Sequence, residues 1–466
     1  MQDRWTAKML QLHPDSPLRN RDFLFGVATA AFQVEGACAT DGRTPSIWDE
    51  FCSKPGAILN GDTGAVACDH YHRWHSDIDL IAALNVDAYR FSISWSRVLP
   101  GPGSVVNERG LRFYLDLVAA LRARGIRPVV TLYHWDLPQY LQDAGGWANR
   151  TTCEEFAYLA RIVAGAFGTM VDFYCTINEP WCAAILGHKD GVHAPGHADP
   201  EIALAVAHHL LVAHGLATRA LREAAPHAQV GIVLNGGPVE AATPDPMDLQ
   251  AARRAEDELI HLFAGPLFAG RYPPAFAALS HPDADLVWPG DMETIGQPID
   301  FLGWNYYTRT RVATRDGQKN LFQTSPPASN DVTAMGWEVY PQGLACVLRD
   351  LASRYPLPPL YITENGAAFA DCFEGGAIND SARVDYIGRH LTVVEEMIAD
   401  GFDVRGYFYW SLLDNFEWAH GYDIRFGLFH VDYCTQQRTP KRSALEFSAM
   451  LADRRFGAGR AMRDRQ

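Results

Sequence analysis

The chain has 466 residues, 48% hydrophobic and 20% charged, which are the proportions of a globular protein able to bury a large core. Forty basic against 55 acidic side chains leave a formal charge of −15. With no long basic run to offset it, this balance argues against nucleic acid or an anionic membrane surface as partner.

Nine cysteines (Cys38, Cys52, Cys68, Cys153, Cys175, Cys182, Cys346, Cys372 and Cys434) are odd in number and show neither C-x-x-C nor metal-site spacing. They read as free thiols of a reducing compartment. The N-terminal stretch MQDRWTAKMLQLHPDSPLRN lacks the apolar core of a signal peptide. No apolar stretch reads as reaching the roughly 20 residues of a membrane span. The expectation is a soluble, cytoplasmic protein with no membrane partner. Oligomeric state leaves no mark in the sequence.

In chain order, eight short runs rich in β-branched and aromatic residues alternate with helical periodicity. The first, FLFGVATA (23–30), leads to Gln33, and DAYRFSIS (87–94) contains Arg90. Residues 111–124 then place Leu111, Tyr114, Leu117, Val118 and Leu121 on one helical face, with Gly125 as a stop. RPVVTLY (127–133) runs into His134, Trp135 and Asp136, and DFYCTIN (172–178) into Asn178, Glu179 and Pro180. After QVGIVLN (229–235), DFLGWNYY (300–307) carries Asn305, Tyr306 and Tyr307. LYITEN (360–365) ends at Glu364, Asn365 and Gly366. Residues 381–400 form a second striped helix, which Ser381 or Asp380 can cap and Gly401 ends. Last, RGYFYWSL (405–412) carries Trp410 and leads to Glu417 and Trp418.

This alternation predicts an α/β fold, a (β/α)8 TIM barrel forming a single domain over 1–466 with its core at about 20–450. A doubly wound sheet is the rival, but FGVATAAFQVEG has no Gly-rich phosphate turn. Residues 36–70 and 308–342 read as long loops on the active-site face, without sustained periodicity.

Polar and aromatic residues thus gather at the strand ends, on one rim. Two are carboxylates, Glu179 and Glu364, each at the end of an apolar run. Paired carboxylates across a barrel mouth suit glycosidic bond cleavage, in which one attacks or activates water and the other protonates the leaving oxygen. Their separation would decide between retention and inversion. With 11% aromatic residues, including 12 tryptophans, the chain can also present flat apolar faces to a neutral polar ligand. A metal reading would draw on His70, His72 and His75, or on His208, His209 and His214. His70 and His72 precede a helix expected over 73–84 and the second set lies in a helical stretch, so packing and hydrogen bonding are the expected roles. No metal and no cofactor are expected.

The motifs FGVATAAFQVEGA, YRFSISWSR, TLYHWDLPQ, TINEP, GWNYYT, ITENG and WSLLDNFEW occur in this order between about Phe23 and Ser443. Together they resemble glycoside hydrolase family 1, the β-glucosidase family, whose fold is also a (β/α)8 barrel. The resemblance implies a retaining β-glycosidase, most often a β-glucosidase, acting on a small-molecule β-glycoside or oligosaccharide. Transglycosylation, or a β-galactosidase or β-fucosidase preference, is the alternative.

In that family pattern Glu364 is the nucleophile, Glu179 the acid/base, and Arg90 and Tyr307 contact the nucleophile and would keep it ionised. Gln33, His134, Asn178, Glu417 and Trp418 match positions that bond sugar hydroxyls, and Trp410 matches the floor under the ring. Trp337 matches the leaving-group side, while Trp135, Asn305, Tyr307 and Phe426 complete the expected substrate-binding set. Members acting on 6-phosphorylated sugars carry a Lys-x-Tyr site where this chain has Ile424 and Phe426. Glu417 is retained, so an unphosphorylated sugar is expected.

Overall fold

β-Branched and aromatic runs bounded by Gly, Pro, Asn and Asp become strands at all eight expected places. The structure is a computed structural model that describes residues 9–103, 105–276, 286–315, 318–374 and 377–463. The start of the polar N-terminal stretch lies outside the described residues. The strands are β1 (Leu24–Ala28), β2 (Ala88–Ser92), β3 (Arg127–Tyr133), β4 (Phe173–Asn178), β5 (Gln229–Asn235), β6 (Phe301–Asn305), β7 (Leu360–Asn365) and β8 (Val404–Trp410). Each pairs in parallel with its neighbours in chain order, and β1 pairs with both β2 and β8, closing the barrel. β6 stops at Asn305 rather than Tyr307, and Tyr306 instead packs away from the mouth, its hydroxyl donating to the Tyr340 carbonyl.

A barrel interior must be filled by side chains from alternating strand positions. Here every strand contributes to one buried cluster: Leu24, Ala88, Val129, Phe173 with Cys175, Val233, Phe301, Tyr361 and Phe408. Phe301 and Tyr361 meet edge-on with ring centroids 5.3 Å apart, and Phe173 lies 5.8 Å from Tyr361. This apolar plug closes the barrel interior, while the polar side chains of the strand ends form a separate layer at the mouth.

The helices follow the apolar stripes with instructive differences. The stripe predicted over 111–124 belongs to a helix that begins earlier, at Glu108, because its first turn is polar and has no stripe to reveal it. The helix expected over 73–84 spans His70–Ala83, so His70, His72 and His75 are all helical. Asp380 sits at the N-cap of Ser381–Ala399, but its side chain does not cap. It pairs instead with Arg383 and accepts from the Ser443 backbone N–H at 2.8 Å. Helix Pro200–Ala224 corrects the hydropathy reading: its 25 residues are long and apolar enough to cross a bilayer. However, 72% of that apolar window is buried, and the helix packs on Thr151–Phe167.

The long loops carry structure of their own. Within 36–70, Ile47–Cys52 is helical, with the Asp49 carboxylate accepting from Ser46 N at 2.7 Å. Within 308–342, Thr310–Arg315 and Gln318–Thr324 pair antiparallel, and Val239–Ala241 joins them as a third strand.

Gly366 ends the ITENG motif where the chain leaves β7. A Cβ built there would lie 1.8 Å from the Trp410 carbonyl oxygen, a backbone atom that cannot step aside alone. Gly366→Ala is expected to destabilise the protein by about 1–3 kcal/mol in urea unfolding, as overpacking does. Wild-type stability would contradict this reading.

Candidate active site

Glu364 lies at the end of β7, 3% exposed. Arg90 Nη1, from β2, donates to its Oε1 at 2.5 Å, and the Tyr307 hydroxyl donates to Oε2 at 2.5 Å. Both carboxylate oxygens therefore accept, as an ionised carboxylate does. Burial, followed by the charge of Glu364, pushes the Tyr307 hydroxyl well above its usual range, so it stays a donor.

Arg90 also orders the groups around it. Its Nη2 donates to Asn178 Oδ1 at 2.6 Å, and Asn305 Nδ2 reaches the same oxygen at 3.1 Å. With Oδ1 fixed as acceptor, Asn178 Nδ2 must be the donor to His134 Nε2, at 3.2 Å. His134 is then protonated on Nδ1, which has no partner among the described residues. Burial and the Arg90 charge hold its pKa well below the usual value, so the ring stays neutral.

Glu179 has the opposite setting. Asn305 Nδ2 donates to its Oε1 at 2.6 Å and the Cys182 thiol to its Oε2 at 3.0 Å, and among the described residues no cation bonds to either oxygen. Burial, then repulsion from Glu364, raises its pKa to about 7. Its backbone is left-handed, φ 45°, as are those of Trp135 (φ 76°) and Trp418 (φ 49°). Residues with side chains visit this region at a cost, and such strain gathers at functional sites. A hydrogen bond from Trp135 Nε1 to the Asn178 carbonyl, 2.8 Å, braces the turn into Glu179.

Both carboxylates line one cavity of about 430 Å³. Of the expected binding residues, His134, Trp135, Asn305, Tyr307, Trp337, Trp410, Glu417, Trp418 and Phe426 also line it. Trp410 lies against His134, centroids 5.9 Å apart at 20°. Glu417 is buried, and burial followed by the Glu364 charge raises its pKa to about 8.

Gln33 and Asn178, expected at the sugar hydroxyls, are fully buried and are not among the residues that line the cavity. Gln33 Nε2 donates to the Phe416 carbonyl at 2.9 Å and approaches Glu417 Oε2 at 3.3 Å, leaving its Oε1 unpartnered among the described residues. Three residues read as rim groups do not reach the cavity. Asp136 is buried, neither of its oxygens has a partner on another of the described residues, and burial pushes its carboxyl well above the usual range. Tyr306 faces away, and Asn365 bonds Tyr386 and Tyr407 behind β7.

Trp181, Cys182, Leu186, His193, Asn235, Thr308, Met335 and His420 also line the cavity, although sequence reasoning did not single them out. Trp181 and Cys182 follow TINEP directly, and that proximity was the available signal. His193 lies in a loop far from any strand end and had none.

Five of the six histidines weighed as metal ligands bond protein groups: His70 bonds Asp77 at 2.8 Å, His72 bonds Asp69, His208 bonds Tyr272 and Asp291, His209 bonds the Trp147 carbonyl, and His214 bonds Thr176. His75 packs edge-on against Trp74. Among the described residues two other groups have metal-like spacing, Glu256 with His261 and Asp350, and Asp371 with Asp414 and His430. Each already holds a protein cation, Arg354 in the first and Lys441 in the second.

The glycosyl hydrolase family 1 profile matches residues 17–456. The chain belongs to that family. This family 1 hydrolase is 48% identical over 434 residues to a β-glucosidase of Agrobacterium sp., covering 92% of this chain and 95% of that protein. It is 44% identical over 438 residues to β-glucosidase A of Thermotoga maritima, covering 92% and 96%. Among solved structures, SghA of Agrobacterium tumefaciens in complex with its substrate analog salicin superposes with a TM-score of 0.89 at 46% identity, covering 93% of this chain and 96% of that one. The glycoside hydrolase assignment thus rests on fold, motifs and near full-length identity together.

A carboxyl at about 7 is a proton donor only below that value. The kcat/KM of this hydrolase on a phenyl glycoside should therefore fall as pH rises past about 7. Glu179→Gln should abolish that basic limb and lower the plateau by roughly 100- to 10,000-fold. A limb that survives in the variant would assign it to another group.

Proposed function

We propose that this family 1 hydrolase is a retaining β-glucosidase of unphosphorylated β-glucosides, with Glu364 as nucleophile and Glu179 as acid/base. The observation that carries the reading is the contrast between two carboxyls in one cavity. Glu364 is held by a cation and a hydroxyl, whereas Glu179 is desolvated and shifted to about 7. Environments that push two carboxyls apart assign nucleophile and acid.

In the first step a Glu364 oxygen attacks the anomeric carbon as the glycosidic C–O bond breaks, and the Glu179 proton passes to the leaving oxygen. The glucosyl ester that results removes the Glu364 charge, the second cause of the raised Glu179 pKa. Glu179 is then a stronger acid, ionised and ready to act as base. In the second step it takes a proton from water, the water oxygen bonds to the anomeric carbon, and the ester bond breaks to release Glu364. Two inversions give net retention.

His134 Nδ1–H and Gln33 Oε1, which have no partner among the described residues, and the Glu417 carboxyl are the groups offered to sugar hydroxyls. Trp410 offers a flat face. Ile424 and Phe426 pack in an apolar cluster with Tyr307 and Trp337, which suits a leaving group and not a phosphate. The relatives named β-glucosidases, and the salicin bound to SghA, support an aryl or alkyl β-glucoside as substrate.

Glu364→Ala should lose at least about a thousandfold in kcat on 4-nitrophenyl β-glucoside. With azide added it should accumulate the α-glucosyl azide, formed on the face the carboxylate vacated. Near-wild-type turnover, or a β-azide product, would overturn the assignment. A panel of aryl glycosides compared by kcat/KM should rank glucoside first, since that ratio reports transition-state discrimination.

A further inference from the structure

Cys182 lies three residues beyond Glu179 and lines the same cavity. Its backbone N–H donates to the Glu179 carbonyl at 3.0 Å, and its thiol donates to Glu179 Oε2 at 3.0 Å. On its other side, Asn235 Nδ2 reaches the sulfur at 3.9 Å. The sulfur thus receives from Asn235 and gives to Glu179, which fixes the direction of its S–H. Burial, then the Glu179 charge, pushes the thiol well above its usual range, so it remains a donor throughout.

The two Glu179 oxygens face unlike donors. The Asn305 amide is the stronger and closer, 2.6 Å from Oε1. A proton on Oε1 would compete with that N–H, so Oε1 is the carbonyl-like oxygen. The thiol is a weak donor and leaves room on Oε2. We propose that Cys182 is a positioning residue for the acid/base, holding Oε2 as the oxygen that carries the proton and delivers it to the leaving group. This rests on the acid/base role of Glu179 proposed above. The charged and titratable groups that also act on Glu179 come from other elements: Glu364 on β7, Arg90 on β2, and Tyr307 and Glu417 in the loops after β6 and β8. All four side chains remain in place when Cys182 is substituted, which isolates the thiol.

A weak donor here orients the carboxyl while barely favouring its ionised form. Serine, close in shape, would donate more strongly and stabilise the carboxylate. Alanine would donate nothing. The test uses the full chain, with phenyl β-glucoside, which needs the acid, and 2,4-dinitrophenyl β-glucoside, which does not. Hydrolysis of both by the wild type comes first, so that a failure of the β-glucosidase reading is seen separately. Cys182→Ala should move the basic limb of kcat/KM up by about half a pH unit, and Cys182→Ser should move it down. Cys182→Ala should also lose about tenfold on phenyl β-glucoside but less than twofold on the dinitrophenyl substrate. Coincident limbs in all three proteins, or equal losses on both substrates, would overturn the proposal. Cys182→Ser keeps a donor at the same place with only a small loss of volume, so a folding defect of the alanine variant does not remove the test.

Discussion

The active site hangs on a guanidinium sealed inside the barrel. Arg90 is 1% exposed, and a charge so placed is costly unless partners surround it. It bonds Thr131 on β3, Asn178 on β4, and the Thr363 carbonyl and Glu364 on β7. One side chain on β2 therefore ties three other strands and sets the order of the mouth. It holds the nucleophile, turns the Asn178 amide, and through that amide selects the His134 tautomer. Asn305, which shares Asn178 Oδ1, carries the order on to Glu179. Removing one partner would leave the other as an uncompensated buried charge, a loss of about 3–5 kcal/mol.

The frame makes this arrangement sustainable. Below it, the apolar plug from all eight strands excludes water from the barrel interior. Around it, the sheet has no edge, so each strand end is fixed on both sides. Strained backbone at Trp135, Glu179 and Trp418 persists because short hydrogen bonds and packed rings leave no relaxed alternative. Phe32 lies parallel to Trp418 at 6.2 Å, and Trp48 packs at 4.5 Å from it.

A sequence discloses whatever has a period. The strands, the striped helices and the two glutamates at strand ends have one, and all were legible. Direction within a turn does not. Asp136 comes directly after His134 and Trp135, yet it is buried away from the mouth, while its neighbours line it. Gln33 and Asn178 match sugar-binding positions in the family; both are fully buried and bond residues that line the cavity, Glu417 and His134. The three-stranded sheet around 310–324 escaped because Val239–Ala241 is only three residues long and Thr310–Arg315 buries a single residue, Val312, too little to show as alternation. Asp380 looked like a cap because its position is right, but Arg383 and Ser443 recruit its carboxylate. For Cys182 the sequence offers only its place just after TINEP; the thiol contact with Glu179, one turn back, is visible only in the fold.

The partners in the Arg90 network come from distant parts of the chain. Arg90 and Glu364 are 274 residues apart, and Asn305 lies 126 beyond Glu179. A polypeptide leaving the ribosome has made its cation long before the carboxylate that neutralises it exists. Until β7 arrives, that guanidinium can stay in water and the barrel interior cannot seal. The charge pair thus acts as a completion check: burial of Arg90 becomes favourable only when the nucleophile strand is present, so the chain does not commit to a closed core without its active site.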